Sequence, residues 1–438
     1  MKPILAVVGR PNVGKSTLFN KIVGRRVAIV EDTPGVTRDR IYADAEWLRY
    51  KFTIIDTGGL DPESEDIVKR QILQQAELAM EIADVILFVV DSKTGPIEAD
   101  MDVANMLRKT RKPVIVAANK ADNMISGALD AYEFYSLGLG EPSPVSAEQG
   151  LGTGDLLDEI VKRFPNPEEE AANEDAIRVA VLGKPNVGKS SLINKILGEN
   201  RLIVSDVPGT TRDAIDSEAT LDGQRYIFID TAGIRRKARI KENIERYSIL
   251  RAVSAVSRAD VCVLLIDAEE GITEQDSKIA GIAFERGKAI VIAVNKWDLI
   301  EKDDKTMNIF MKDIANELSF ISFAPKLFIS AKTGQRINKL FELIIMTYQN
   351  HSMRISTGVL NEVLTEAMAV NQPPSDKGRQ LKIYYSTQVS VKPPTFVLFV
   401  NDSELMHFSY KRYIENQLRE SFGFVGTPIH FVIRNKKK

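Results

Sequence analysis

Residues 9–17 read Gly9-Arg10-Pro11-Asn12-Val13-Gly14-Lys15-Ser16-Thr17, and residues 183–191 read Gly183-Lys184-Pro185-Asn186-Val187-Gly188-Lys189-Ser190-Ser191, an offset of 174. The echo extends outward from this stretch. PGVTRD from Pro34 returns as PGTTRD from Pro208, and Asp56-Thr57-Gly58-Gly59 returns as Asp230-Thr231-Ala232-Gly233, both at the same offset. Asn119-Lys120-Ala121-Asp122 returns as Asn295-Lys296-Trp297-Asp298 at 176, and Ser146-Ala147 returns as Ser330-Ala331 at 184. A whole domain is duplicated, and the growing offset places insertions of two and then eight residues between motifs, where loops absorb them.

Each copy alternates short β-branched apolar runs with longer amphipathic stretches: ILAVV, FTIID, VILFVVD and VIVAAN in the first, RVAVL, YIFID, VCVLLID and IVIAVN in the second. That alternation is the signature of a mostly parallel sheet covered by helices, an α/β fold. The 438 residues are enough for roughly three domains. The expected division is a first repeat domain over 1–165, an acidic linker over 166–175, a second repeat domain over 176–350 and a third, unrelated domain over 351–438. Around the linker, PNPEEEAANED (Pro165 to Asp175) has two prolines, five acidic residues and almost no large apolar side chain.

With 58 basic and 60 acidic residues the chain is nearly neutral, and its single cysteine, Cys262, excludes an intramolecular disulfide framework or a Cys-rich zinc site. Cys262 reads as a small buried strand residue. Gly9 and Arg10 interrupt the first apolar run before it is long enough for a signal peptide, and no uncharged apolar stretch reaches the roughly 20 residues that span a bilayer. A cytoplasmic chain is expected.

The spacing G-x-x-x-x-G-K-S, after a strand and before a helical pattern, is a phosphate-binding loop in both copies. Glycines let the backbone wrap phosphate oxygens, the helix N-terminus offers unpaired N–H groups, and Lys15 and Lys189 bring positive charge to the β- and γ-phosphates. Ser16 and Ser190 are candidate Mg²⁺ ligands. Asp56 and Asp230, at strand ends, can hold Mg²⁺ directly or through water. Gly59 and Gly233 follow at the spacing that brings an N–H to the γ-phosphate, and Thr37 and Thr211 are candidate second hydroxyl ligands. Asn119-Lys120-x-Asp122 and Asn295-Lys296-x-Asp298 select GTP over ATP. A carboxylate accepts from guanine N1–H and the exocyclic amine, whereas adenine offers no such donor pair. Ala147 and Ala331, after Ser146 and Ser330, are expected to present backbone N–H groups to guanine O6. The nucleotide-binding set is thus residues 9–17, 56–59, 119, 120, 122, 146 and 147 in the first copy. In the second it is residues 183–191, 230–233, 295, 296, 298, 330 and 331.

With two such motif sets and the tail, the whole chain resembles the double-domain EngA or Der family of Era-like bacterial GTPases. The resemblance implies two tandem P-loop GTPase domains and a C-terminal KH-like α/β domain. It also implies a switch that binds and hydrolyses GTP during assembly of the large ribosomal subunit. The implied partners are GTP, GDP and that subunit with its RNA; no DNA and no membrane span are expected, and the chain is expected to be a monomer. The rival reading is a GTP-sensing interaction module for a protein or membrane-surface partner, with hydrolysis only as a timer.

Many regulatory GTPases orient the attacking water with a glutamine just after the second-switch glycine. Here Leu60 and Ile234 stand there, so slow intrinsic turnover is expected, resting on Lys15, Thr37, Gly59, Lys189, Thr211, Gly233 and Mg²⁺. The family resemblance adds a potassium ion held partly by Asn12 and Asn186, the alternative being that these asparagines only stabilise the turn.

From Ser352 to Lys438 twelve basic side chains stand against seven acidic ones. The pattern predicts helix (about 356–370), strand (381–389), strand (395–400), helix (409–421) and strand (428–433). Gly423-Phe424-Val425-Gly426 has the letters of the nucleotide-clamping KH loop, but sits between a helix and the last strand and reads as a C-cap and turn. The terminal Arg434, Lys436, Lys437 and Lys438 reach phosphates or form a solvated tail. A second basic cluster, Arg235, Arg236, Lys237, Arg239 and Lys241, follows Gly233, where the first copy has Leu60-Asp61-Pro62-Glu63. It either couples nucleotide state to RNA or domain contact, with the first copy acting as regulator, or is a solvated helix face.

Overall fold

The structure is a computed structural model that describes residues 2–24, 42–57, 65–123, 129–165, 176–198, 203–205, 216–229, 244–301, 303, 305–376 and 378–436. Most of the first copy forms one compact unit, and most of the second copy together with the tail forms the other. The expected linker over 166–175 lies outside the described residues.

In the first copy the order is β1 (Ile4–Val8), α1 (Lys15–Val23), β2 (Tyr42–Trp47), β3 (Tyr50–Asp56), α2 (Glu65–Ile82), β4 (Val85–Asp91), α3 (Glu98–Leu107), β5 (Val114–Asn119), β6 (Pro142–Pro144) and α4 (Thr153–Lys162). The sheet order is β2-β3-β1-β4-β5-β6, with every neighbouring pair parallel except β2 and β3. All seven positions of β4 are buried, because helices cover both faces of a central parallel strand. Only Ala45 of β2 is buried. An antiparallel edge strand lacks the continuous apolar run that reveals the others, which is why no sequence run marked it.

The second copy repeats this as β7 (Ala176–Leu182), α5 (Lys189–Leu197), β8 (Ile203–Ser205), β9 (Ser217–Leu221), β10 (Gln224–Ile229), α6 (Ile244–Arg258), β11 (Val261–Asp267), α7 (Glu274–Glu285), β12 (Ala289–Asn295), α8 (Thr306–Glu317), β13 (Lys326–Phe328) and α9 (Ile337–Ser352). Its sheet order, β13-β12-β11-β7-β10-β9-β8, is the same topology with β8 added at the antiparallel edge. Tyr226, Phe228 and Phe341 pack their rings 5.1–6.4 Å apart in its core. Cys262 is fully buried in β11, and burial pushes its thiol up to about 12.

The tail follows the expected helix–strand–strand–helix–strand order: α10 (Thr357–Val370), a short ribbon of β14 (Ser375–Asp376) and β15 (Arg379–Gln380), β16 (Ile383–Ser390), β17 (Thr395–Val400), α11 (Phe408–Phe422) and β18 (His430–Asn435). β17 pairs antiparallel with β16 and parallel with β18. One sheet face packs Ile383, Phe396, Leu398 and Val400 against Leu360 and Leu364 of α10 and Ile414 and Leu418 of α11.

Gly423 and Gly426 occupy the turn between α11 and β18, at φ 88° and 82°. This turn is tied to the second copy. Gly426 N–H donates to the Phe323 carbonyl at 2.9 Å, its own carbonyl accepts from Ile290 N–H at 2.7 Å, and the Val425 carbonyl accepts from Asn350 Nδ2 at 2.9 Å. His351, at the end of α9, is buried with Nδ1 2.7 Å from Thr427 Oγ1. Burial, reinforced by the positive charge of Lys288 and Lys392 and by His430, pushes its pKa from 6.5 down to about 3. Between those values the unfolded chain binds a proton at this side chain that the folded chain excludes. Stability contributed by neutral His351 is therefore present above about pH 6.5 and lost as the pH falls toward 3, by at most about 1.4 kcal/mol per pH unit. Denaturant unfolding at pH 7 and pH 5 is expected to show a larger acid loss in the parent than in His351→Asn; equal losses would contradict it.

Candidate guanine-nucleotide site

β1 ends at Val8 and α1 begins at Lys15, so residues 9–14 form the loop between a central parallel strand and a helix N-terminus. Residues 183–188 do the same between β7 and α5. Gly14 and Gly188 take φ 90° and 101°, and a Cβ on either would collide with the carboxamide of Asn119 or Asn295. Glycine is required there for conformation and for space. Val13 and Val187 point into the two cores, leaving only their backbone groups at the site. Asn12 and Asn186 are exposed and share a φ of 64°.

Lys15 Nζ donates to the Arg10 carbonyl at 2.8 Å, and Lys189 Nζ donates to the Lys184 carbonyl at 2.6 Å and to the Gly183 carbonyl. Burial pushes the Lys15 ammonium down to about 8, opposed by Asp56 and reinforced by Arg10. An anion brought against such a lysine favours its charged form, so the environment suits a phosphate. Ser16 Oγ donates to Asp56 Oδ2 at 2.9 Å, which places two hard oxygen donors side by side at the loop, a donor set that fits Mg²⁺. Thr57 Oγ1 donates to the Val7 carbonyl at 2.6 Å, so its hydroxyl latches β3 to β1 rather than facing a ligand. Thr17 and Ser191 lie on exposed helix positions, and Pro11 and Pro185 are half-buried.

Asn119 and Asn295 end β5 and β12. Asn119 Nδ2 donates to the Val13 carbonyl at 2.8 Å and its Oδ1 accepts from Ala147 N–H at 2.9 Å. Asn295 repeats both bonds, to the Val187 carbonyl at 2.8 Å and from Ala331 N–H at 2.9 Å. The carboxamide thus clips the phosphate loop to the Ser-Ala loop. The Ala147 and Ala331 N–H groups, expected to face guanine O6, donate to the asparagine carboxamides in this structure.

Asp122 Oδ1 accepts from Ser146 Oγ at 2.9 Å and Oδ2 pairs with Lys93 Nζ at 2.5 Å. Those two bonds, Lys93 first, hold its carboxyl below the usual carboxylate range. In the second copy Ser330 Oγ accepts from Thr333 N–H at 3.1 Å. Lys120 and Lys296, both at positive φ, reach back to Asp91 at 2.7 Å and Asp267 at 2.5 Å.

Four carboxylates escaped the motif reading. Asp91 and Asp267 are the last residues of β4 and β11, and Asp100 and Asp276 cap α3 and α7. Fully buried Asp100 lies 3.4 Å from Arg10 Nε, and Asp276 lies 4.0 Å from Lys184 Nζ, which also pairs with Glu270 at 2.5 Å. Desolvation raises the Asp100 carboxyl, opposed by the Ile97 N–H and by Arg10. Both pairs recur at the 176-residue offset; the duplication itself was the signal that could have found them. Thr37, Gly58, Gly59, Leu60, Thr211, Asp230, Thr231, Ala232, Gly233, Ile234 and the Arg235–Lys241 cluster lie outside the described residues.

Two parallel-sheet domains, each with a phosphate loop packed against an Asn-Lys-x-Asp strand end, define a GTP-binding GTPase of double-domain architecture. The family described as 50S ribosome-binding GTPase matches residues 4–120 and 178–296. The family described as the C-terminal KH-domain-like region of EngA bacterial GTPase enzymes matches residues 354–434. GTPase Der of Agathobacter rectalis is 61% identical over 437 residues, covering 100% of this chain and 99% of that protein. GTPase Der of Alkaliphilus oremlandii is 63% identical over 436 residues, covering 99% of each, and that of Clostridium tetani is 60% identical over 437, covering 100% of both. The chain belongs to the GTPase Der family.

On the expectation that Asp122 and Asp298 accept from guanine, replacing either by asparagine removes that acceptor pair. Calorimetric titration is expected to show GTP affinity at the altered site falling about 100-fold or more while xanthosine triphosphate gains. Unchanged GTP affinity in both variants would contradict the assignment.

Proposed function

We propose that the chain is a GTP-driven switch that associates with the immature large ribosomal subunit through its RNA and leaves after hydrolysis. The observation that carries this reading is the union, in one chain, of two phosphate-loop sites with a basic KH-like module. In the domain division proposed, 1–165 and 176–350 are the two GTPase domains, 166–175 the linker and 351–438 the KH-like domain. Among the described residues no helix is long and apolar enough to cross a membrane.

In this reading Lys15 and Lys189 hold the β- and γ-phosphates, the loop N–H groups wrap them, and Asp122 and Asp298 select guanine. Ser16, Thr37 and Asp56, and Ser190, Thr211 and Asp230, would hold Mg²⁺, which offsets negative charge on the transferred phosphoryl group. Gly59 and Gly233 sense the γ-phosphate through their N–H groups. Asn12 and Asn186, exposed at the loop with a free-standing carboxamide oxygen chemistry suited to a soft-shelled monovalent cation, would hold K⁺. With Leu60 and Ile234 in place of glutamine, turnover without that cation is slow.

Co-sedimentation with purified large subunits is expected to retain the protein with a non-hydrolysable GTP analogue and release it with GDP or without nucleotide. The Asp122→Asn and Asp298→Asn variants then identify the controlling site. No retention in any state overturns the reading in favour of a protein or membrane-surface partner. Separately, hydrolysis is expected to run several-fold faster in potassium than in sodium at matched ionic strength, and equal rates would remove the potassium assignment.

A further inference from the structure

The KH-like module packs one face of its sheet against its helices, and on the other face Val397 alone among the positions of β16, β17 and β18 is buried. Along β16, β17 and β18 the side chains of Ile383, Phe396, Leu398, Phe431 and Ile433 turn inward to the helices. The alternate positions turn outward, and the register aligns them in rows across the strands. Tyr385 stands opposite Phe399, which stands opposite Arg434, and Thr387, Val397 and Val432 form the next row. The Tyr385 and Phe399 rings stack with centroids 4.3 Å apart and planes 15° from parallel. Tyr385 is 42% exposed, and Tyr384, at the irregularity in β16, is 49% exposed with Lys436 Nζ 4.7 Å from its ring centroid. Lys382 and Arg434 are exposed at the same end of the sheet, while the nearby Asp402 is paired with Arg379 at 2.9 Å.

We propose that this outer sheet face is a stacking platform for unpaired bases of single-stranded RNA. Every base has a π-face, so stacked aromatic rings bind single strands with little sequence demand, and adjoining cations take the phosphates. Open sheets that display aromatic side chains use this mode in other RNA-binding modules. A base adds a further layer to the Tyr385–Phe399 stack, with Arg434, Lys436 and Lys382 at the rim. A protein partner of acidic surface would meet the same cations but would not need two coplanar rings. The ordinary KH clamp is not offered at Gly423 to Gly426, because Gly426 is engaged through both its N–H and its carbonyl at the opposite end of the sheet. The proposal deepens the RNA-bearing partner of the preceding reading and rests on it, but its test needs no ribosome.

The full-length protein is titrated against fluorescein-labelled oligouridylate and oligoadenylate of about twelve nucleotides, read by anisotropy, with Tyr385→Ala, Phe399→Ala, Tyr385→Phe and Arg434→Ala. GTP hydrolysis and the thermal transition of each variant verify folding. Either alanine ring deletion is expected to weaken binding about tenfold or more, while Tyr385→Phe, which keeps the ring, retains it. Arg434→Ala is expected to weaken binding and to lower the slope of log affinity against log salt by about one. Oligonucleotide binding unchanged by both ring deletions overturns the platform, as does no binding by the parent at low salt. Loss of subunit retention on Tyr385→Ala with oligonucleotide binding intact also overturns it and assigns the face to a protein. Intact, ring-dependent oligonucleotide binding with no subunit retention leaves the platform standing and removes the ribosomal reading alone.

Discussion

Each nucleotide site depends on one carboxamide. Asn119 donates to the Val13 carbonyl and accepts from the Ala147 N–H, so three loops at the carboxyl ends of β1, β5 and β6 are held by a single planar group. It is buried, and a buried amide that uses donor and acceptor together is expensive to disrupt, because removing it strands a carbonyl on one loop and an N–H on another. Gly14 follows from the same constraint: any side chain there would occupy the space of the carboxamide. Asp122, three residues after the asparagine, accepts from Ser146 Oγ in the loop that the clip holds. The second copy reproduces the clip and the glycine constraint at Asn295, Val187, Ala331 and Gly188.

A duplicated chain separates what the chemistry requires from what one copy happens to have. The carboxamide clip, the pairing of Lys120 and Lys296 with the strand-end aspartates, and the buried carboxylates beside Arg10 and Lys184 occur twice. The last of these joins the phosphate loop to the first turn of α3 in one copy and of α7 in the other. Its geometry differs between copies. Arg10 reaches Asp100 through a planar guanidinium, while Lys184 divides its ammonium between Glu270 and Asp276. An ammonium is a compact charge and a guanidinium a directional fork, so the same position of the two loops is braced by different chemistry.

The fold was legible wherever strands were buried on both faces, because continuous runs such as VILFVVD and VCVLLID have no competing reading at that length. It was not legible at the edges: β2 reads YADAEW and β9 reads SEATL, with alternation too weak to stand out from a loop. At the site, the spaced motifs bring Ser16 beside Asp56 and Ser146 beside Asp122, whereas contacts that follow from packing alone have no motif to announce them. Asp100 and Asp276 carry no motif; they matter because burial and a neighbouring cation meet there, which is a property of the folded chain. The hydrogen bond from the Ala147 N–H to the Asn119 carboxamide is likewise a product of packing that no motif announces.

The Gly-x-x-Gly turn of the tail shows how far letters can mislead about chemistry. Glycines in a nucleotide-clamping loop are valued because a bare backbone can approach a phosphodiester chain. Here the bareness of Gly426 lets the turn approach the side chain of Thr347 and reach the backbone of Phe323 and Ile290, so the same conformational freedom is used on protein rather than on nucleic acid. With that turn engaged, Tyr384, Tyr385, Phe399, Lys382, Arg434 and Lys436 lie at the other end of the sheet, where β16 begins and β17 and β18 end. A module that keeps the KH-like arrangement of helices and strands can therefore carry its binding chemistry on the sheet instead of on the loop that usually defines it.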